Sequence, residues 1–321
     1  MNTTRSAASI IQGGMGVAIS GWPLANAVAR RGELGVVSGT ILEVVMARRL
    51  QLGDPGGHVR RALDHFPFPD VAERIVDAYF VPGGKADTRP FKKVRTFTIE
   101  PDQGLQELTV AANFVEVFLA KEGHDGPVGI NYLRKIELPI PFSVYGAMLA
   151  GVDYVIVGAG NPKDMPGMIT QLSRHEPTRL ALRVQGLTSN DEAVEVRFDP
   201  AVIHRGVIPP FERPQFLAIV ASVDLAEGLA ALPEPPDGFI VEASSAGGHN
   251  APPRGPRKVD ELGQPIYDGR DDVDLERLRK LGLQFWLAGS FGTPRGLEQA
   301  RADGATGIQM GTAFAFCAES G

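Results

Sequence analysis

Cysteine is all but missing from this chain. Cys317 is the one thiol in 321 residues, so neither an intrachain disulfide framework nor a Cys-x-x-Cys metal site can form. That usage fits a reducing compartment. Apolar runs are short: nowhere do about 18 apolar residues follow one another, so no membrane-spanning helix and no membrane partner are expected. The opening residues MNTTRSAASIIQGG hold no apolar stretch of signal-peptide length, and a cytoplasmic location is the expectation. Basic residues are outnumbered, 32 Lys and Arg against 38 Asp and Glu, giving a formal charge of −6. A nucleic-acid partner needs a clustered basic surface and is not expected. An anionic ligand is compatible with this balance, because backbone amides bind phosphate without net positive charge.

Several catalytic signatures are absent as well. Gly14-Met15-Gly16 begins like a dinucleotide fingerprint, but Ile19 stands where the third glycine belongs. No phosphate loop ending in Gly-Lys-Ser/Thr occurs. Ser245 lacks the Gly-x-Ser-x-Gly frame of a nucleophile elbow. No spaced histidine pair or carboxylate pair marks a metal centre, so no metal is expected.

What is present is an alternation. Hydrophobic residues make up 43% of the chain, enough to fill a large core. Short Val- and Ile-rich runs recur, each followed by a helical pattern, which is the signature of βαβ units and a parallel sheet. The runs Ile10–Gln12, Leu34–Val37, Val128–Tyr132, Tyr154–Val157, Phe216–Ala221, Phe239–Glu242, Phe285–Ala288 and Gly307–Met310 make eight strands. Eight such strands close most simply into a (β/α)8 TIM barrel, read here as one domain over residues 1–321. Residues 54–102 interrupt the rhythm after the second βα unit. They read as a helical insertion, with helices over Val59–Phe66 and Val71–Phe80 and a short strand over Val94–Ile99. Residues 179–214 read as a β-hairpin insertion before strand five, its arms Leu180–Gln185 and Ala193–Phe198 joined by a turn-rich segment. A long polar loop, 243–271, follows strand six. The sequence stops soon after strand eight, so an eighth helix is expected to be missing.

Glycine stands where strands end: Gly13-Gly14-Met15-Gly16, Gly158-Ala159-Gly160, Gly247-Gly248, Gly289 and Gly311. Those positions fall on the barrel mouth that carries the active site. One such cluster is as readily a tight turn; five, all after strands, point to backbone approaching a flat ring or a phosphate. Loops after strands seven and eight are the usual barrel phosphate site, where Ser290 and Thr312 add hydroxyl donors.

These segments together resemble a known family. The carrying stretches are IIQGGMGVAIS, INYL at Ile130–Leu133, VIVGAGNP at Val155–Pro162, VEASSAGGHN at Val241–Asn250, and Phe285–Phe314. They are similar to the FMN barrels of the nitronate monooxygenases (formerly 2-nitropropane dioxygenases), with further similarity to flavin-dependent enoyl-acyl-carrier-protein reductases and trans-acting polyketide enoyl reductases. The resemblance implies FMN as cofactor and an oxidoreductase activity. It implies that Gly13, Gly14 and Met15 lie against the flavin ring, that Asn131 hydrogen-bonds it, and that Gly158 and Gly160 line its edge. It assigns the phosphate to Gly247, Gly248, Gly289, Ser290, Gly311 and Thr312. Gln309 either touches the ribityl chain or packs. Glu242 either lies near the flavin or pairs with a backbone amide.

His249 closes the Gly-Gly-His motif and is the expected catalytic residue, donating a proton or holding an anionic substrate. In the best-known nitronate monooxygenases a catalytic histidine follows strand four; here the stretch is Gly158-Ala159-Gly160-Asn161-Pro162, without one. Nitronates, already deprotonated, need no such base. The expected function is therefore FMN-dependent oxidation of alkyl nitronates with O2. The alternative is an enoyl reductase for an enoyl thioester, with NAD(P)H as co-substrate. An alternative of another class is a non-catalytic flavin-binding partner protein. Arg254, Arg257 and Lys258 in the long loop read as solvated, with phosphate binding as the sharper option. Insertions often carry dimer contacts in this family, which leaves a homodimer open.

Overall fold

The computed structural model describes residues 7–186, 192–203, 208, 210–247, 251–256 and 258–321. Eight parallel strands form one sheet in the order β1-β10-β9-β8-β7-β4-β3-β2. They are β1 Ile10–Gln12, β2 Gly35–Ser38, β3 Val128–Leu133, β4 Tyr154–Gly158, β7 Gln215–Val220, β8 Gly238–Glu242, β9 Gln284–Ala288 and β10 Gly307–Met310. A parallel bridge from Ile11 to Leu34 closes the circle. There the Gln12 amide donates to Leu34 O at 2.9 Å and the Leu34 amide to Ile10 O at 3.1 Å. The fold is the (β/α)8 barrel that the alternation predicts.

In-register partners on neighbouring strands face the same side. Ile11, Gln309, Ala288 and Glu242 are one such row, and Ser38, Asn131, Ile156 and Leu217 another. Ile11, Ile156, Leu217 and Ala288 belong to a compact cluster with Leu34, Val36, Ile240 and Trp286, which fills the barrel lumen. Trp286 is 1% exposed, and its indole Nε1 donates to Ala8 O at 2.8 Å. This core is packed side chain to side chain, so any ligand must sit above it, at the C-terminal ends of the strands.

The larger core lies between the sheet and the helices. The helices that follow β1 and β2 are α1 Trp22–Ala29 and α2 Leu42–Gln51. The helical insertion contributes α3 His58–Leu63 and α4 Pro69–Tyr79, and α5 Gln103–Lys121 leads back to β3. Helix α5 is buried on nearly every side, as expected of a helix enclosed by others. The insertion explains this: α3 and α4 cover the flank of α5 that would otherwise face solvent. Two buried acids on α5 are met by arginines of neighbouring helices, one of them in the insertion. Arg49 of α2 reaches Glu116 at 2.6 Å, and Arg74 of α4 reaches Glu107 at 2.8 Å.

After β3 come α6 Ile140–Leu149 and, beyond β4, α7 Met165–Ser173. The hairpin is a separate antiparallel pair, β5 Thr178–Ala181 with β6 Glu195–Phe198. Its turn-rich link lies largely outside the described residues. Helices α8 Val223–Ala230, α9 Leu275–Lys280 and α10 Pro294–Ala302 complete the ring. Side-chain caps start all three: Ser222, Asp274 and Thr293 accept first-turn amides.

The strand expected over Val94–Ile99 does not form. That stretch carries Val94, Phe97 and Ile99 but has no ladder partner among the described residues, and Ile99 is 47% exposed; a strand pattern without a neighbouring edge leaves its amides to water. Beyond β10 the described chain makes a 3-10 turn over Phe314–Phe316 and then returns to the first loop, where the Gly321 amide donates to Ile19 O at 3.0 Å. No α-helix follows β10 among the described residues.

Candidate functional site

A cavity of about 1430 Å3 opens at the C-terminal mouth of the barrel. Every loop that enters it is shaped by a few residues whose chemistry is legible. The first is Gly13-Gly14-Met15. Gln12, fully buried, donates from Nε2 to Gly13 O at 2.6 Å and accepts the Val36 amide at Oε1. Ser20 Oγ donates to Gly13 O at 3.1 Å and accepts the Met15 amide at 2.9 Å. Two buried polar side chains thus hold the turn rigid. A Cβ on Gly14 would stand 2.5 Å from Asn131 Cβ, so the glycine is what lets β3 bring Asn131 into the wall beside it.

Strand β4 ends in Gly158, Ala159 and Gly160. Ala159 has φ +57° and Gly160 φ +150°. A left-handed alanine is strained, and such strain collects where a fold needs a particular backbone path. On the far side of the mouth, Gly289 and Ser290 after β9 are also left-handed, with φ +110° and +59°. Three loops converge there. A Cβ on Gly289 would meet Ala246 N at 2.9 Å, and one on Gly247 would meet Thr312 Oγ1 at 2.7 Å. The amides of Ser290, Phe291, Gly292, Gly311 and Thr312 make no hydrogen bond to a protein acceptor among the described residues. Unspent amides gathered on glycine-lined backbone make an anion-binding concavity.

The structure brings the expected site residues together. Gly13, Gly14, Met15, Asn131, Gly158, Gly160, Glu242, Gly247, Gly289, Ser290, Gln309, Gly311 and Thr312 all line this one cavity. Gly248 and His249 lie outside the described residues, as does Arg257. Arg254 is engaged rather than solvated: its Nη2 donates to Ala221 O at 2.9 Å, and its amide donates to Asp271 at 2.7 Å. Glu242 makes the backbone pairing that the sequence reading allowed. It lines the cavity and accepts the Ala251 amide. Burial pushes its carboxyl above the usual range, and the Ala251 bond draws it part of the way back.

Several lining residues escaped the sequence reading. Lys135, Leu133, Ile219, Leu225, Phe291 and Phe316 all face the cavity. For Leu133 and Lys135 a signal exists: counting by twos from Asn131 gives the inward face of β3 and its extension. Phe316 is 86% exposed on the segment after β10, where no periodicity marks it. Among the described residues no group of His, Cys, Asp and Glu is placed to hold a metal ion, and no helix is long and apolar enough to cross a membrane.

No family model matches this chain, and no curated protein matches it in sequence. Solved structures do. FabK from Thermotoga maritima superposes with a TM-score of 0.50 at 17% identity, covering 98% of this chain and 61% of that one. A nitroalkane oxidase from Streptomyces ansochromogenes gives 0.48 at 15% identity, covering 99% and 68%. The enoyl reductase domain of MlnA, from the macrolactin biosynthesis cluster of Bacillus amyloliquefaciens, gives 0.45 at 12%, covering 97% and 55%. The chain therefore spans about three fifths of the length of FabK, and what it shares with that protein is the barrel fold.

Proposed function

We propose that this chain binds FMN at the mouth of its barrel and acts as an FMN-dependent oxidoreductase. The carrying observation is the pairing of two features across one cavity. On one side five amides unspent among the described residues and two hydroxyls, on Ser290 and Thr312, converge from the β9 and β10 loops, with Gly247 against them. On the other, Gly13, Gly14 and Gly158 present bare backbone beside Asn131. A phosphate fits the first and the edge of a flat ring fits the second. Gly247, Gly289, Ser290, Gly311 and Thr312 would hold the phosphate, and Asn131 would meet the ring. When bound, the flavin supplies two-electron exchange at N5; the chain binds it, orients it and shields it from water.

The first reading of the reaction is oxidation of alkyl nitronates with O2. Its support is the β4 loop, which offers no basic side chain in Gly158-Ala159-Gly160, and a nitronate needs none. The second reading is NAD(P)H-driven reduction of an enoyl thioester. The cavity favours it. Pockets for single small ligands run to about 1000 Å3, and 1430 Å3 leaves room for a sizeable second molecule. Met15, Leu133, Leu225 and Phe291 give that space apolar walls suited to an acyl chain.

Purified protein is expected to be yellow and to release FMN on denaturation. A colourless protein that cannot be reconstituted with FMN would overturn the proposal. Anaerobic mixing then separates the two readings. Bleaching by an alkyl nitronate and not by NADH or NADPH supports the first; the reverse pattern, with turnover of an enoyl thioester, supports the second.

A further inference from the structure

Glu242 sits where two chambers meet. It is the last residue of β8, in register with Ala288 and pointing to the barrel's inner side. Behind it, beneath the long loop after β8, lies a second chamber of about 220 Å3. Ala221, Leu225, Glu242, Ala251 and Pro252 border both spaces, so the carboxyl stands in the partition between them. The outer wall of the smaller chamber is polar and half-exposed: Arg254, Tyr267 and Asp271.

The loop over this chamber is anchored rather than draped. Arg254 ties it to Ala221 O and Asp271, Tyr267 OH donates to Ala251 O at 2.9 Å, and the Ala251 amide donates to Glu242. The chamber is thus a built feature, and at about 30 Å3 per water it has room for several molecules. Among the described residues no cation pairs with Glu242. Among the described residues, the charged and titratable groups around it are Arg254, Tyr267 and Asp271 on the chamber side, and Lys135 on the opposite wall of the main cavity. A carboxyl that, among the described residues, has one hydrogen bond and no cation, and that borders both the ligand space and the chamber, is placed to pass protons between them.

We propose that Glu242 is the proton donor of this cavity, resupplied from solvent through the chamber beneath the 243–271 loop. This rests on the second reading above. A bound flavin, reduced by NAD(P)H, would supply the hydride for one carbon of the activated double bond. The Glu242 carboxylic acid gives its proton to the other, leaving a saturated product and a carboxylate. That carboxylate takes a proton back from water in the chamber. The retained proton agrees with burial raising the carboxyl's pKa.

The test has two readouts. In the flavin-free protein, infrared titration should show a protonated carboxyl band that persists above the ordinary carboxylate range, vanishes in Glu242→Gln and exchanges in D2O. In the flavin-loaded protein, Glu242→Gln should slow reduction of an enoyl thioester at least 100-fold and abolish the acid-dependent limb of its pH profile. Glu242→Asp, which keeps the acid on a shorter stem, should recover part of the rate. Retained flavin content in both variants shows that the site still forms. No band assignable to Glu242, or a loss under about tenfold with an unchanged pH profile, overturns the proposal and moves the donor to His249. If neither NADH nor NADPH bleaches the flavin, the reductase reading fails by itself, and the infrared band still decides whether Glu242 carries a proton at neutral pH.

Discussion

At the residue scale, the site depends on side chains that are absent. Gly158 ends β4 at the point where Ile219 of β7 leans across the mouth. A Cβ there would lie 2.9 Å from Ile219 Cδ1 and 3.0 Å from its Cβ. Both distances are shorter than packed carbons tolerate, and the barrel core below leaves Ile219 little room to retreat. Gly158→Ala should therefore cost about 1–3 kcal/mol by overpacking. The cost should shrink by about 1 kcal/mol when Ile219→Val removes the nearer atom, because the two positions are in contact and their effects are not additive. Urea unfolding of the four flavin-free proteins in a double-mutant cycle measures this coupling. Strict additivity would mean that the strain lies elsewhere. The glycine was visible in the sequence, and so was its place after a strand. That Ile219 is its neighbour was not, because the hairpin separates β4 from β7 along the chain while the sheet pairs them directly.

At the element scale, Arg134 fastens three loops to one another. It directly follows β3 and its side chain is 3% exposed. Its guanidinium donates to Glu137 at 2.5 Å, to Asp164 of the β4 loop at 3.2 Å, and to Ala181 O of the hairpin at 2.9 Å, while Nε has no partner among the described residues. Glu137 accepts the Arg183 amide as well, at 2.9 Å, so the hairpin is held at two points. Removing one member of a buried ion pair typically costs about 3–5 kcal/mol, since the other charge stays desolvated. Arg134→Ala should fall in that range and should loosen the hairpin in particular. Limited proteolysis is expected to cut the variant between β5 and β6 at a rate well above wild type; equal protection would show that the hairpin is held by its apolar face alone. Period-two reading of β3 puts Asn131, Leu133 and Lys135 on the inner face and Arg134 on the other, so its outward direction was legible. Its partners were not, because Glu137 and Asp164 lie on loops without periodicity and Ala181 offers only a backbone carbonyl. The same distinction explains the lost strand over Val94–Ile99: local pattern names a candidate, and only a neighbouring edge makes it a strand.

For the whole molecule, barrel closure followed from counting strands, whereas the balance of ionisable groups emerges only from the folded chain. Two sets of carboxyls pull stability in opposite directions. Asp102 and Glu122 are held below their usual range by Arg95 and Arg61, so what they contribute is present above the unfolded pKa and is lost as pH falls. Glu43 is pushed the other way. It is 5% exposed in the first turn of α2, and burial raises its pKa above 4.5 with only its own backbone amide in opposition. Between 4.5 and that raised value the folded state binds more protons than the unfolded state. The slope of stability with pH is then negative through that window. Above it the folded chain carries a desolvated carboxylate whose penalty no longer changes. Glu43→Gln keeps the shape and removes the charge. It should gain stability over wild type as pH rises from mildly acidic to neutral, with little difference at the acid end. Chemical unfolding at several pH values, with wild type and variant side by side, reads this directly. A difference that is flat with pH would mean that Glu43 is ionised without penalty, and that other carboxyls set the pH response.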